Sequence, residues 1–135
     1  EKEVSRVARA LYIDHLLDRE FGVGFSGGEM KRVEIAALVL SNPVVALVDE
    51  ADSGVDVDSV MLIANALEDL VKTVAEAVLI VTHTGAILRH LRADKAYVMI
   101  DGATVYEGSA DQILRKLLSE GFKAFRGNDH EEQSP

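Results

Sequence analysis

Apolar residues recur at helical spacing in the first part of the chain. Over residues 4–17 they alternate with arginine and aspartate side chains, which predicts an amphipathic helix. A second helix is predicted from Ser26, because Ser26 and Glu29 match the S-x-x-E capping box. It should end before Pro43, since the residue preceding a proline avoids helical geometry. The chain is therefore expected to begin with two helices joined by a glycine-containing turn at residues 21–24.

Two continuous apolar runs, residues 44–48 and 77–81, have the length of strands. Runs without polar alternation are typical of strands buried on both faces of a parallel sheet. A helical pattern over residues 59–75 separates them, and Asp56 or Asp58 can cap its first turn. This order predicts an α/β fold with parallel strands flanked by helices. Because two strands do not make a stable sheet covered on both faces, further strands are expected from upstream sequence.

The last third of the chain predicts a β-hairpin followed by a helix. Residues 96–100 and 104–106 flank Asp101-Gly102, and Asp-Gly suits a tight hairpin because both turn residues need positive φ. A further capping-box pattern begins the last helix, which should end at Gly121.

Composition narrows the classes of function. The chain has 135 residues, 48% hydrophobic and 27% charged, so it can build a core. A formal net charge of -9 argues against a nucleic-acid surface, which needs clustered Lys and Arg. The absence of cysteine excludes disulfides and thiolate metal sites. No apolar run approaches the roughly 20 residues of a membrane span, so we expect a cytoplasmic location without membrane insertion. The start at Glu1 without a Met is typical of an excised piece.

Asp49 and Glu50 follow directly after the first predicted strand. Ligands bind beyond the carboxyl ends of strands in open α/β sheets. Carboxylate oxygens suit Mg²⁺, which keeps most of its waters and binds through one or two carboxylates. Asp49 is therefore a candidate metal ligand, and Glu50 a candidate base for an attacking water. The alternative is that both acids only cap the next turn.

Ser26-Gly27-Gly28-Glu29 begins the second predicted helix. Two glycines allow a backbone to approach a phosphate closely, and the helix behind them presents free N–H groups. A capping box on an ordinary helix explains the same four residues equally well.

His83 follows the second predicted strand, where an imidazole could contact a phosphate and hold the attacking water. A surface or capping histidine is the alternative. Asp56, in the turn from Ser53 to Asp56, is expected to cap the next helix whatever else it does. Three other histidines receive no functional assignment: His15, His90 and His130.

Taken together, these motifs in this order resemble the ABC ATPase family over about residues 1–108. The resemblance implies that residues 45–49 form the Walker B strand and residues 53–56 the D-loop. It also implies that the nucleotide-binding signature is formed by Ser26, Gly27, Gly28 and Glu29, and that Asp56 belongs to the nucleotide site. By the same resemblance, Asp49 binds the metal, Glu50 is the catalytic glutamate and His83 is the catalytic switch histidine.

In such ATPases two domains usually sandwich two ATP molecules. The expected cofactors are therefore ATP and Mg²⁺, and the expected partner is a second ABC ATPase domain in a homodimer formed on ATP binding. In that arrangement the signature acts on the partner's ATP, whereas Asp49, Glu50 and His83 act on the chain's own.

A narrower resemblance is to SufC, the ATPase of the SUF iron–sulfur cluster assembly system. It rests on Phe25 before Ser-Gly-Gly-Glu, on Lys31-Arg32 after it, and on Ala51 where most transport ATPases have proline. It implies scaffold partners of the SufB and SufD type. Thr84, where an aromatic residue is more usual, and Val55, where leucine is common, depart from the pattern and weaken this narrower assignment.

The phosphate-binding motif G-x-x-x-x-G-K-[ST] does not occur in the 135 residues. We therefore expect the chain alone to bind ATP poorly and to be inactive. The predicted organisation is a remnant of a helical subdomain (1–24), the signature-to-histidine part of the ATPase core (25–108), a C-terminal helical segment (109–126) and a disordered tail (127–135).

Other functions remain open at this point. The chain could belong to a transporter's nucleotide-binding subunit or to another ABC ATPase. A chromosome-maintenance ATPase would have long coiled-coil heptads ahead of the signature, and residues 4–17 are too short to show them. A non-catalytic interaction module that has lost its nucleotide loop is the alternative from a different class.

Overall fold

The computed structural model describes residues 1–126, so the predicted tail at 127–135 lies outside the described residues. The chain divides into two compact units, Glu1–Leu91 and Arg92–Pro135. The helices and strands, in chain order, are α1 (Lys2–Ala10), α2 (Gly27–Leu40), β1 (Val45–Asp49), α3 (Val57–Thr73), β2 (Ala77–Val81), β3 (Ala96–Ile100), β4 (Ala103–Gly108) and α4 (Ala110–Glu120). Short 3₁₀ turns lie at Asp14–Leu16, Ala86–Arg89 and Phe122–Phe125. The predicted α/β class, with parallel strands, helices and a hairpin, is confirmed.

Helix α1 ends earlier than the apolar spacing predicts. It stops at Ala10, and Tyr12 adopts a left-handed φ of 53°. The Arg32 guanidinium donates to the carbonyl oxygens of Leu11 and Tyr12 at 3.0 and 3.1 Å, which satisfies groups left free at the helix end. The predicted helix to residue 17 was wrong, because the 3₁₀ turn that follows continues the apolar period across the break.

Helix α2 begins as predicted. The Ser26 hydroxyl accepts a hydrogen bond from the Glu29 N–H at 3.2 Å, and the Glu29 carboxylate accepts one from the Ser26 N–H at 2.8 Å. Both halves of the capping box are therefore present. The helix ends at Leu40, and Asn42 takes a left-handed φ of 49° before Pro43.

Strands β1 and β2 pair in parallel, with Val45 opposite Ala77 and Asp49 opposite Val81. In β1, Ala46 and Val48 are buried, whereas Leu47 on the other face is 72% exposed. Along β2 the same alternation leaves Leu79 57% exposed. The prediction that both strands are buried on two faces was wrong for the described residues, because only one face of this strand pair is covered.

The covered face packs on α3, which carries the main core of the first unit. Asp56, and not Asp58, caps α3: its carboxylate accepts a hydrogen bond from the Ser59 N–H at 2.8 Å. The largest fully buried side chains of this unit lie in α3, at the end of α1 and in the 3₁₀ turn after β2: Leu11, Ile63, Leu67, Leu70 and Ile87. This core fixes the loops at the carboxyl ends of β1 and β2.

The second unit contains the predicted hairpin. Asp101 and Gly102 have φ values of 50° and 81°, as a tight turn requires, and β3 pairs antiparallel with β4. A core of Val98, Ile113 and Phe125 packs α4 and the last 3₁₀ turn against the strands.

Helix α4 begins where the Ser109 hydroxyl accepts a hydrogen bond from the Gln112 N–H, and it ends at Gly121 with a φ of 71°. Among the helices of residues 1–126, none is long and apolar enough to cross a lipid bilayer.

Candidate functional site

The carboxyl ends of β1 and β2 lie side by side. Asp49 pairs with Val81 in the parallel register, and the Glu50 N–H donates to the Val81 carbonyl oxygen at 2.9 Å. Residues that follow the two strands are therefore held at the same edge of the sheet.

Glu50 and His83 meet at this edge. Glu50 Oε1 lies 2.9 Å from His83 Nδ1, and the two side chains are 48% and 58% exposed. A carboxylate and an imidazole at hydrogen-bond distance, both open to solvent, can accept, hold or donate a proton. The structure thus brings together the two residues that the sequence proposed as catalytic.

The backbone at Glu50 is strained. Its φ is 47°, in the left-handed region that residues with a Cβ atom rarely adopt. Strained conformations of this kind cluster at functional sites. The chain reverses sharply at this residue after β1. The Ser53 N–H closes the turn by donating to the Glu50 carbonyl oxygen at 3.1 Å.

Asp49 is placed differently from Glu50. It is exposed and lines an open pocket of about 170 Å³ together with Lys31, Glu34 and Leu47. Within residues 1–126, no group of three or more His, Cys, Asp or Glu side chains is arranged to hold a metal ion. A Mg²⁺ ion that shares its coordination with phosphates and water needs only one or two protein carboxylates, and the exposed Asp49 suits that donor set.

The start of α2 forms a second group of predicted residues. Besides the capping box with Ser26, Glu29 Oε1 lies 3.0 Å from His15 Nε2. The Ser26 backbone hydrogen bond and then the His15 contact lower the pKa of Glu29 from its ordinary 4.5 to about 2. Glu29 is therefore an acceptor occupied by two internal partners, which supports the capping interpretation of this residue.

The two glycines of α2 have different surroundings. Gly28 is buried, and a Cβ atom there would lie 2.7 Å from Ser59 Oγ and 2.9 Å from Asp56 Oδ2. Internal packing therefore requires glycine at 28. A Cβ atom on the exposed Gly27 would make only an ordinary contact, 3.7 Å from the Gly54 carbonyl oxygen. Packing does not explain glycine at 27, whereas a close ligand would.

Asp56 joins α3 to this group. Hydrogen bonds from the backbone and hydroxyl of Ser59, and the charge of Arg32, hold the pKa of Asp56 below its ordinary value. The Gly28 backbone and the charged cap of α3 thus lie against each other. The structure brings the predicted Asp56 and Gly28 together through this packing contact.

Sequence reasoning missed three residues of this region. Asp52, two residues after Glu50, is buried and binds the segment that carries His83. Arg32 bridges α2 to the end of α1, and His15 contacts Glu29. Hydrophobic periodicity does not mark a buried aspartate, and the only signal for Asp52 was its place in the acidic stretch after β1.

Comparison with known proteins extends these observations, although no family model matches the chain. It is 36% identical over 99 residues to the probable ATP-dependent transporter ycf16 of Antithamnion sp., covering 73% of the chain and 39% of that protein. It is 39% identical over 112 residues to the chloroplastic ABC transporter I family member 6 of Arabidopsis thaliana, covering 82% and 32%. A probable ABC transporter ATP-binding protein of Streptococcus pyogenes serotype M3 is 32% identical over 124 residues, covering 90% and 48%. The chain thus spans less than half the length of these curated relatives.

Solved structures show the same relationship. The ADP conformation of MJ1267, an ATP-binding cassette of an ABC transporter, superposes with a TM-score of 0.68 at 29% identity, covering 93% of the chain and 49% of that structure. The archaeal ribosome recycling factor aABCE1, in complex with a ribosomal stalk protein, gives a TM-score of 0.70 at 30% identity, covering 86% and 23%. In sequence and in fold, the chain is therefore similar to part of the ATP-binding cassettes of ABC transporters and related ABC proteins.

Proposed function

We propose that, in the complete protein, this chain supplies the water-activating groups of one ATP site and the signature of a second site. The observation that carries the proposal is the 2.9 Å contact between Glu50 and His83 beyond two adjacent parallel strands. Ligands of open α/β sheets bind at this end of the strands, and both side chains are accessible to a ligand there.

The chemistry follows from the two side chains. The Glu50 carboxylate accepts a proton from a water molecule while the oxygen of that water attacks the terminal phosphorus of ATP. Nε2 of His83 faces away from Glu50. In the neutral ring with its proton on Nδ1, Nε2 accepts a hydrogen bond from the attacking water, whereas in the imidazolium form Nε2–H donates to a phosphate oxygen. The bond from the terminal phosphorus to the bridging oxygen breaks, and ADP and phosphate leave. Asp49 would hold Mg²⁺, which neutralises phosphate charge when bound.

The start of α2 would serve the nucleotide of a second copy. Gly27 is exposed, no close internal contact demands glycine there, and the first N–H groups of α2 can bind an anion. In this proposal the ATP-bound form is a homodimer with two ATP molecules between the copies. Ser26, Gly27, Gly28, Glu29 and Asp56 then lie near the partner's nucleotide.

We further propose that ATP hydrolysis drives iron–sulfur cluster assembly on SufB/SufD-type scaffolds. Support comes from the residues that resemble SufC, in particular Phe25 before the signature and Ala51 after Glu50. A transporter ATP-binding subunit is the second candidate, because the curated relatives carry transporter names. The two functions differ in the partner: a scaffold protein or a membrane subunit.

ATP hydrolysis is tested in the complete protein with Glu50→Gln. The control is Glu76→Gln, at an exposed residue directly before β2. Loss of the water-activating carboxylate should lower kcat by about 100-fold or more while ATP remains bound. Near-normal turnover of Glu50→Gln would reject its assigned role. A complete protein that neither binds nor hydrolyses ATP would indicate the non-catalytic interaction module.

The partner is tested by co-expression of the complete protein with scaffold proteins of the SufB and SufD type. Co-purification, and cluster transfer that fails with Glu50→Gln, is the expected result. Co-purification with a membrane subunit instead would favour the transporter function and would leave the hydrolysis proposal intact.

A further inference from the structure

Asp52 is a buried carboxylate in the loop between β1 and α3, two residues beyond Glu50. Only 5% of its surface is exposed. Its Oδ2 atom accepts hydrogen bonds from the hydroxyls of Thr82 and Thr84, at 2.8 and 2.7 Å, and from the Ile87 N–H at 3.1 Å. We call these four residues the Asp52 cluster. It connects the loop after β1 to the loop after β2.

The two threonines flank His83 and extend the network into its backbone. The Thr82 hydroxyl accepts from the N–H groups of Thr84 and Gly85, at 3.2 and 3.0 Å. The Thr84 hydroxyl accepts from the Ala86 N–H at 3.1 Å. A single carboxylate oxygen thus organises the backbone on both sides of the histidine.

His83 has little else to hold it. Its side chain is 58% exposed, and its hydrogen bond goes to a glutamate that is itself 48% exposed. An ion pair between exposed side chains contributes little free energy on its own. The position of the imidazole beside Glu50 therefore depends on the loop that carries it.

We propose that Asp52 is a positioning residue that holds the His83 loop so that the imidazole stays beside Glu50. Glu50 and Asp52 belong to the same turn, which is tied to β2 by the bond from the Glu50 N–H to Val81. The turn after β1 thus positions Glu50 directly and His83 through the Asp52 cluster.

The two carboxylate oxygens of Asp52 have different surroundings. Its Oδ1 atom is buried without a hydrogen-bond partner, and an asparagine carbonyl oxygen in place of Oδ2 would accept the same three bonds. Burial raises the pKa of Asp52, but hydrogen bonds from Thr84, Ile87 and Thr82 together bring it below its ordinary value. The carboxylate is therefore ionised at neutral pH, and hydrogen bonds to a charged acceptor are stronger than those to a neutral one.

The first test is spectroscopic and does not depend on ATP hydrolysis. The His83 imidazole of the complete protein is observed by long-range ¹H–¹⁵N NMR at mildly alkaline pH, which reports which ring nitrogen carries the proton. In the wild type, Nδ1 should carry the proton, because it faces the Glu50 carboxylate. Asp52→Ala should convert the ring to the Nε2–H form of a free imidazole, and Asp58→Asn, at an exposed aspartate in α3, should leave it unchanged.

The second test is kinetic and rests on the proposed function. Asp52→Ala should lower kcat for ATP by about 10-fold to 100-fold with little change in KM, since the residue acts through another group. Asp52→Asn should lower kcat less than Asp52→Ala does. In a His83→Ala background, Asp52→Ala should cause no further loss, because both changes remove the same contribution.

Should Asp52→Ala fail to fold, Asp52→Asn and Thr84→Val provide the test, since each weakens the cluster without emptying the site. An unchanged His83 tautomer in every folded variant would overturn the proposal. The proposal would also be overturned if Asp52→Ala lowered kcat as much in the His83→Ala background as it does in the wild type. If the wild type hydrolyses no ATP but the tautomer responds as expected, the proposed function fails and the positioning role stands.

Discussion

At the scale of single residues, Glu50 combines a side chain proposed as catalytic with an unfavourable backbone conformation. Its φ of 47° costs about 1 kcal/mol or more for a residue with a Cβ atom. The same turn puts the carboxylate within 2.9 Å of His83. The strain and the contact have one origin, namely the sharp reversal of the chain after β1.

Glycine at position 50 should relieve this strain. Glu50→Gly and Glu50→Ala both remove the carboxylate, so they differ mainly in the cost of the left-handed backbone. We expect the complete protein with Glu50→Gly to be more stable than with Glu50→Ala by about 1 kcal/mol, measured by urea denaturation. Equal stabilities would show that the backbone at 50 is not strained in solution.

Glu29 shows how hydrogen bonds lower the pKa of a carboxyl group. Its pKa of about 2 lies below the ordinary 4.5, first because the Ser26 N–H binds the carboxylate and then because His15 does. Because the pKa is lowered, these contacts of the Glu29 carboxylate stabilise the folded state fully above about pH 4.5, and the stabilisation is lost as the pH falls through about 2.

The Glu29 carboxyl ¹³C resonance should therefore titrate near pH 2, and His15→Gln should move its midpoint upward. The shift should be partial, because the larger contribution from the Ser26 backbone remains. A midpoint of Glu29 near 4.5 in the wild type would contradict the capping geometry.

At the scale of elements, the contact between the starts of α2 and α3 determines what can stand at position 28. A Cβ atom on Gly28 would lie within 3 Å of both Ser59 Oγ and Asp56 Oδ2, whereas one on Gly27 would meet only ordinary contact. The two adjacent glycines are therefore separable: packing explains Gly28, whereas ligand access is the role proposed for Gly27.

Gly28→Ala should lower the free energy of unfolding by about 1–3 kcal/mol, as over-packing does in cores. Gly27→Ala should leave stability nearly unchanged but reduce ATP hydrolysis by the complete protein, since it crowds the proposed phosphate approach. Thermal unfolding and steady-state turnover of the two variants, measured side by side, check both statements. A stable, fully active Gly27→Ala would remove the argument for a ligand at this glycine.

The elements also show which features sequence can predict. The capping box of α2 and the Asp101-Gly102 turn were predictable because the residues that determine them are neighbours in the chain. The exposed face of β1 was not, because burial depends on what packs against a strand and not on its own composition. The break after Ala10 was hidden because buried Leu11 and Leu16 preserve the apolar period across a non-helical turn.

For the candidate site, motif order predicted the residues but not all of their neighbours. Glu50 and His83, each proposed as catalytic from the sequence, lie together because parallel strands bring their carboxyl ends to the same edge of the sheet. Asp52 escaped notice, since the partners that reveal its role come from a loop about thirty residues further on.

At the scale of the whole molecule, the chain covers 39% to 48% of ycf16 and of the streptococcal relative. No phosphate-binding loop of the G-x-x-x-x-G-K-[ST] type occurs among its 135 residues. In the proposed function, Glu50, His83 and the start of α2 therefore act on phosphates only when another segment holds the nucleotide.

The 135-residue chain alone should therefore bind Mg-ATP more weakly than micromolar and hydrolyse none. Isothermal titration calorimetry of the chain, with the complete protein as the positive control, measures this directly. Micromolar affinity of the isolated chain would show that its own residues suffice to hold ATP.

The exposed face of the β1–β2 pair has a consequence for handling the isolated chain. Val45, Leu47, Leu79 and Val81 are each more than half exposed and lie on one face of paired strands, an arrangement that promotes association through this apolar face. The net charge of -9 opposes that association by mutual repulsion between molecules. Added salt screens the repulsion but not the apolar attraction, so the isolated chain should have its longest lifetime as a monomer in dilute, low-salt buffer.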